Sequence, residues 1–196
     1  ISHMVSGKIR FVLGILRHPR QAWLRLRELY RIVTAPPESS IVPTVSLSDV
    51  NLIPVTQIDT LGRKLVEMYA NNPSPFVSGP AGIDALEFSM TQGVRYFLVA
   101  NDRGEMVGAR AFDPDKKLLL SIVTDYRFRG RGYQLSAGKK LIRHLAEEGH
   151  KELRTAVFRG NSRMLRTMAA EGWHLEADPY NPDLIQGTIK LSNALD

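Results

Sequence analysis

The chain has no cysteine among its 196 residues, which removes a disulfide framework, a thiolate metal site and a cysteine nucleophile together. That absence suits a reducing cytoplasm without requiring one. No apolar run approaches the ~20 residues of a membrane-spanning helix, and no internal repeat is visible. The main body also lacks any excess of charge. Residues 1–35 hold Lys8, Arg10, Arg17, Arg20, Arg25, Arg27 and Arg31 against Glu28, whereas the remainder carries 19 basic and 19 acidic residues. The body is therefore not a general polyanion binder, and no nucleic-acid partner is expected.

What is present divides the chain. Ile1-Ser2-His3-Met4 (residues 1–4) reads as a cloning scar. Residues 5–34 form a basic amphipathic extension, in which Ile9, Val12, Leu13 and Leu16, and then Trp23, Leu26, Tyr30 and Val33, recur at helical spacing on either side of Pro19. Its apolar face suits burial on its own domain, pairing in a homodimer, or peripheral membrane contact through residues 5–33, with Trp23 and Tyr30 at headgroup level. Residues 35–45, rich in proline and serine, read as a linker, leaving 46–196 as one domain.

Within that domain the periodicities predict a strand over 50–58, helices over 61–69 and 82–90, and strands over 96–100, 106–112 and 117–124. A long helix follows from Leu135 with Leu141, Ile142, Leu145 and Ala146 inward, then a strand over 152–158. A helix capped by Asn161 or Ser162 comes next, with Met164, Leu165, Met168 and Ala169 inward, and two strands close the chain. The order is β-α-α-β-β-β-α-β-α-β-β, an α/β (α+β) domain whose hairpins make the start of its sheet antiparallel.

The most informative stretch is Arg129-Gly130-Arg131-Gly132-Tyr133-Gln134, between the sixth predicted element and the long helix. First-turn N–H groups lack intrahelical partners and the helix dipole is positive there, so a phosphate is stabilised at such a junction. Of two other phosphate motifs, one is a weak match and one fails. A dinucleotide fingerprint requires a small residue where Leu135 stands. A P-loop requires four residues between its glycines and then Lys-Ser/Thr, whereas Gly132 and Gly138 enclose five and Lys139-Lys140 follow.

The string Arg129-x-x-Gly132 at a strand-to-helix junction resembles the acyl-CoA pyrophosphate loop of the GCN5-related N-acetyltransferases, with Gln134 in place of the family's final small residue. Downstream, Asn161 to Gly172-Trp173 is similar to the family's Asn-to-Gly-aromatic helix, with the same eleven-residue step. The resemblance spans everything but the extension. It implies a mixed, mostly antiparallel sheet flanked by helices. It also implies acetyl-CoA as acyl-donor cosubstrate, with its pyrophosphate held by Arg129, Gly130, Arg131, Gly132, Tyr133, Gln134 and Leu135. Ile122, Val123 and Thr124 would pair with its pantetheine arm, and Asn161 would face it.

The same resemblance implies direct attack by a primary amine of a small molecule or amino sugar in a ternary complex. The helix position where a tyrosine often serves as acid is Met168, and Leu118-Leu119-Leu120 occupies the region of the usual strand carboxylate. Asp125 and Tyr126 are the catalytic candidates, Asp125 for proton relay from the amine and Tyr126, or Tyr133, for protonating sulfur. His174 and Glu176 border the expected acceptor side. The competing readings are a non-catalytic acyl-CoA-binding domain and a protein tethered to a membrane or partner by its N-terminal helices. No metal is expected.

Overall fold

Residues 45–74 and 79–191 are described by a computed structural model. The extension, with its membrane and dimer readings, and nearly all of the linker lie outside them. The elements are β1 (Val50–Val55), α1 (Thr60–Asn71), α2 (Ile83–Thr91), β2 (Arg95–Asn101), β3 (Met106–Asp113), β4 (Leu118–Thr124), α3 (Tyr133–Glu147), β5 (Glu152–Phe158), α4 (Ser162–Glu171), β6 (His174–Ala177) and β7 (Leu184–Lys190). Their order is the predicted one.

The strands form one seven-stranded sheet, ordered β1-β2-β3-β4-β5-β7-β6. Every neighbouring pair is antiparallel except β4 and β5. Helices cover the sheet in two groups because their apolar stripes need different faces. On one face Leu141, Ile142 and Leu145 of α3 and Met168 of α4 pack with Phe97, Phe112, Leu119, Leu153 and Trp173. On the other, Leu65, Met68 and Tyr69 of α1 and Leu86 of α2 pack over Tyr96, Leu98, Ala109, Ala111 and Val123. Each large side chain fully buried here contributes about 1.5–3 kcal/mol.

Helix ends follow their residues. Asp59 caps α1 by accepting from the N–H groups of Leu61 and Gly62, and Asn161 caps α4 by accepting from Met164 N–H at 3.2 Å. One expectation fails on α4: Ala169 is exposed, and the inward face is Met168 with Met164 and Leu165 partly buried. Met168 takes the central place because its flexible end reaches the space over Gly187 on β7, where a Cβ would collide with it.

Between α3 and α4 lies a charged pair, Arg110 of β3 with Glu171 of α4, their side chains each 1% exposed. Gly138 of α3 leaves room for it, since a Cβ there would collide with the Glu171 carboxylate and the Arg110 guanidinium. On helix propensity alone, Gly138→Ala should stabilise by about 1 kcal/mol. Crowding a buried ion pair reverses the sign, so the variant is predicted to lose about 1–3 kcal/mol in denaturant unfolding.

Candidate functional site

The site begins with a fault in the sheet. From Gly108↔Thr124 to Ala111↔Ser121 the register of β3 and β4 is continuous, but Phe112 pairs with Leu119, which leaves Leu120 as an extra residue on β4. A bulge bends its strand and reverses which face the following side chains take. Leu119 accordingly packs with the α3–α4 core, while Ser121 and Val123 face α1.

Parallel pairing of β4 with β5 stops at the same place. Only Leu118↔Arg154 and Leu119↔Thr155 are in register, and the Thr155 hydroxyl closes the junction by donating to Leu119 O at 3.0 Å. Beyond it each strand keeps its outer neighbour, β4 with β3 as far as Thr124 and β5 with β7 as far as Phe158. The result is a V-shaped opening in the middle of the sheet. Asp125 N–H donates to Val107 O at 3.0 Å, so by antiparallel alternation Ile122 and Thr124 turn their backbone groups toward the opening. The Thr124 carbonyl is taken by Arg129 Nε at 3.2 Å.

The glycine-basic turn stands at the wide end of this opening. Gly130 and Gly132 have φ of +78° and +85°, the left-handed conformation that only glycine adopts readily, and it brings successive N–H groups to one side. Gly132 starts α3 with no side-chain cap, which leaves the first-turn N–H groups for an anion. Phe128, 7% exposed, anchors the turn. The guanidinium carbons of Arg127 and Arg131 lie 5.3 and 5.6 Å from its ring centre, and Tyr133 meets it edge-on at 5.8 Å. From α4, Arg163 comes within 3.4 Å of where a Cβ on Gly130 would sit. The two motifs, whose first residues Arg129 and Asn161 stand 32 positions apart, therefore meet.

Of the residues singled out from sequence, Ile122 and Thr124 lie on the β4 edge of the opening, and Arg129, Gly130, Arg131, Gly132, Tyr133, Gln134 and Leu135 form the turn and the start of α3. Val123 is turned away, with its side chain buried against α1 and its backbone facing β3, and Leu135 buries its side chain and can offer only backbone. Asn161 uses its side-chain oxygen as the α4 cap. Gln134, the departure from the family pattern, turns its side chain onto the sheet. Its Nε2 donates to Val123 O at 2.8 Å and its Oε1 accepts from Arg110 Nε at 3.1 Å. The space comes from Gly108, where a Cβ would collide with the Gln134 amide.

Asp125 and Tyr126 follow the end of β4, on the turn side of the opening. Asp125 caps a short 3-10 turn, accepting from Arg127 N–H at 2.9 Å and from its guanidinium at 3.0 Å. Burial raises the Asp125 pKa, but the Arg127 hydrogen bonds outweigh it and hold the carboxyl below its ordinary value. Tyr126 is exposed and its N–H donates to Asn72 Oδ1 at 2.8 Å. His174 and Glu176 are on β6, the outermost strand, separated from β5 by β7.

Sequence reasoning missed the groups at the narrow end. Tyr69 of α1 shares a 2.6 Å hydroxyl–hydroxyl hydrogen bond with Ser121, the first residue after the bulge. Burial pushes the Tyr69 phenol above its ordinary value, and the Ser121 hydrogen bond only partly offsets this. Tyr69 reads in sequence as one more apolar position of α1; no signal short of the fold pairs it with Ser121.

No protein-family model matches the sequence, and no curated protein sequence matches it. Solved structures do. A point mutant of the spermidine N-acetyltransferase SpeG from Vibrio cholerae superposes with a TM-score of 0.60 at 12% identity, over 76% of this chain and 98% of that one. The same organism's spermidine N-acetyltransferase in complex with CoA and spermine gives 0.57 at 13% identity, over 76% and 99%. Its dodecameric form gives 0.59 at 13%, over 76% and 98%. The seven-stranded sheet parted between β4 and β5, with its flanking helices, is the fold of the GCN5-related N-acetyltransferases.

Proposed function

We propose that the protein is an acetyl-CoA-dependent N-acetyltransferase acting on a primary amine of a small molecule. The observation that carries this reading is the opening between β4 and β5 with an uncapped, left-handed glycine turn at its wide end. An acyl-CoA is a long arm ending in a pyrophosphate, and the site has the matching parts in order. Backbone N–H groups from Arg129 to Leu135, with Arg129, Arg131 and Arg163 around them, suit the pyrophosphate. The backbone of Ile122 and Thr124 suits the amides of the arm, with Asn161 on the opposite wall.

This direction of binding brings the acyl end to the bulge. Asp125 and Tyr126, the candidates from sequence, are then at the pyrophosphate end, and Asp125 is already engaged by Arg127. The reading gives proton delivery to the Tyr69–Ser121 pair instead. Transfer of an acyl group from a thioester to an amine forms a C–N bond, breaks the C–S bond and leaves a thiolate to be protonated. Ser121 would give its hydroxyl proton to sulfur and take the Tyr69 proton in return, the amine would shed its proton to water, and water would return one to the Tyr69 phenolate, so that both hydroxyls are restored. Backbone N–H beside the bulge would stabilise the carbonyl oxygen as charge builds.

The acceptor enters from the α1–α2 side, because α3, α4 and the Arg110–Glu171 pair close the other face. Glu67, Asp84 and Glu87 are exposed on α1 and α2, which favours a cationic amine. Spermidine, the substrate named for the structural neighbours, is the first acceptor to test. One observation favours a non-catalytic acyl-CoA-binding domain instead: Met168, where the family's tyrosine often stands, is fully buried in the core. Thiol release from acetyl-CoA across a panel of amines separates the two readings, since the binding domain would release none.

Gly132→Glu is predicted to abolish acetyl-CoA binding in calorimetry while the circular dichroism of the fold is kept; unchanged affinity would remove the assignment. Tyr69→Phe and Ser121→Ala are predicted to lower kcat by about a hundredfold with CoA affinity unchanged. The deficit should shrink with a donor whose leaving thiol is more acidic. An equal deficit with both donors would exclude a proton-delivery role.

A further inference from the structure

The first turn of α3 is held from below by one side chain. Arg110 sits at the centre of β3 with no exposed surface. Its Nε donates to Gln134 Oε1 at 3.1 Å and its Nη2 to the Gln134 backbone carbonyl. Nη2 also faces Glu171 Oε1 at 3.4 Å, and Nη1 has no partner. Glu171 takes the Trp173 indole N–H on its other oxygen at 2.9 Å, and Gln134 continues to Val123 O. One guanidinium thus ties β3 and β4 to the second residue of α3 and the last residue of α4, the two helices that carry the motifs.

Burial lowers the Arg110 pKa, with Glu171 working against it, and raises that of Glu171, with Arg110 working against it. A pair in this state is a weak source of stability, and apolar replacements of similar volume hold a core as well or better. Its effect on geometry is more specific. Gln134 is held through both its carbonyl and its side chain, which restrains the backbone of the first turn from Tyr133 to Leu135.

We propose that Arg110 is a positioning residue for the anion-binding turn, acting through Gln134 to aim the first-turn N–H groups of α3 at the pyrophosphate of the acyl donor. The proposal rests on the acyl-CoA reading. It makes Gln134 and Arg110 a unit: a glutamine replaces the small residue of the family pattern because a buried guanidinium is there to hold it.

The test compares the wild-type chain with the double variant Arg110→Met/Glu171→Met and with Arg110→Lys. Calorimetric titration with CoA is paired with thermal unfolding of the ligand-free proteins and NMR titration with inorganic pyrophosphate. The double variant is expected to unfold at or above the wild-type temperature, yet to bind CoA about ten- to hundredfold more weakly, the range set by losing charge-assisted hydrogen bonds. Its Tyr133, Gln134 and Leu135 amides should no longer respond to pyrophosphate at concentrations that shift them in wild type. Arg110→Lys, which keeps the charge but cannot hold two groups of Gln134, should behave in the same way and decides the matter if the double variant does not fold. Wild-type affinity in a folded variant would overturn the proposal, as would a loss of affinity matched by a parallel loss of ligand-free stability in both. Failure of the wild-type chain itself to bind CoA would instead overturn the acyl-CoA reading.

Discussion

One extra residue in β4 sets the geometry of everything around it. With Leu120 outside the register, β4 bends, its pairing with β5 ends at Leu119↔Thr155, and the next side chains change faces. The opening is the direct outcome of two parallel strands each held by its outer neighbour and released from the other. A continuous parallel ladder would fill the same space with interstrand hydrogen bonds and leave no backbone for a ligand. The bulge also turns Ser121 toward Tyr69, so the group that closes the narrow end follows from the same irregularity.

Basic side chains gather at one end of that opening. The wide end gathers Arg129, Arg131 and Arg163 beside first-turn N–H groups without a side-chain cap. Arg127 is pinned to Asp125 and stacks on Phe128, so its charge is largely spent within the turn. Beneath, Arg110 and Glu171 bring two opposite charges into the core, where they close the α3–α4 face to water. The α3–α4 face is thereby closed, while α1 and α2 cover the other face of the sheet.

Much of this was legible in the sequence, and the remainder was hidden for physical reasons. Element order was readable because each segment keeps its period, and the strand over 152–158 was placed to the residue. The turn was readable because glycine and arginine at a strand-to-helix junction have a local chemical meaning. The bulge was not, since Leu118-Leu119-Leu120 looks alike from either register and only the pairing with β3 distinguishes them. Arg110 was missed because it alternates with Ala109 and Ala111 as a solvent-facing residue would; its burial depends on Gln134 and Glu171, 24 and 61 residues away. Ala169 was placed inward on helical spacing alone, but α4 gives its central inward position to Met168, the longer side chain.

Hydrogen–deuterium exchange of the full chain with and without CoA tests most directly that the parted strands form the acyl-donor site. Slowed exchange is predicted at Ile122 and Thr124 on β4 and at Tyr133 to Leu135 on α3, with little change on β6 and α2. Protection confined to other regions, or none at saturating CoA, would contradict it.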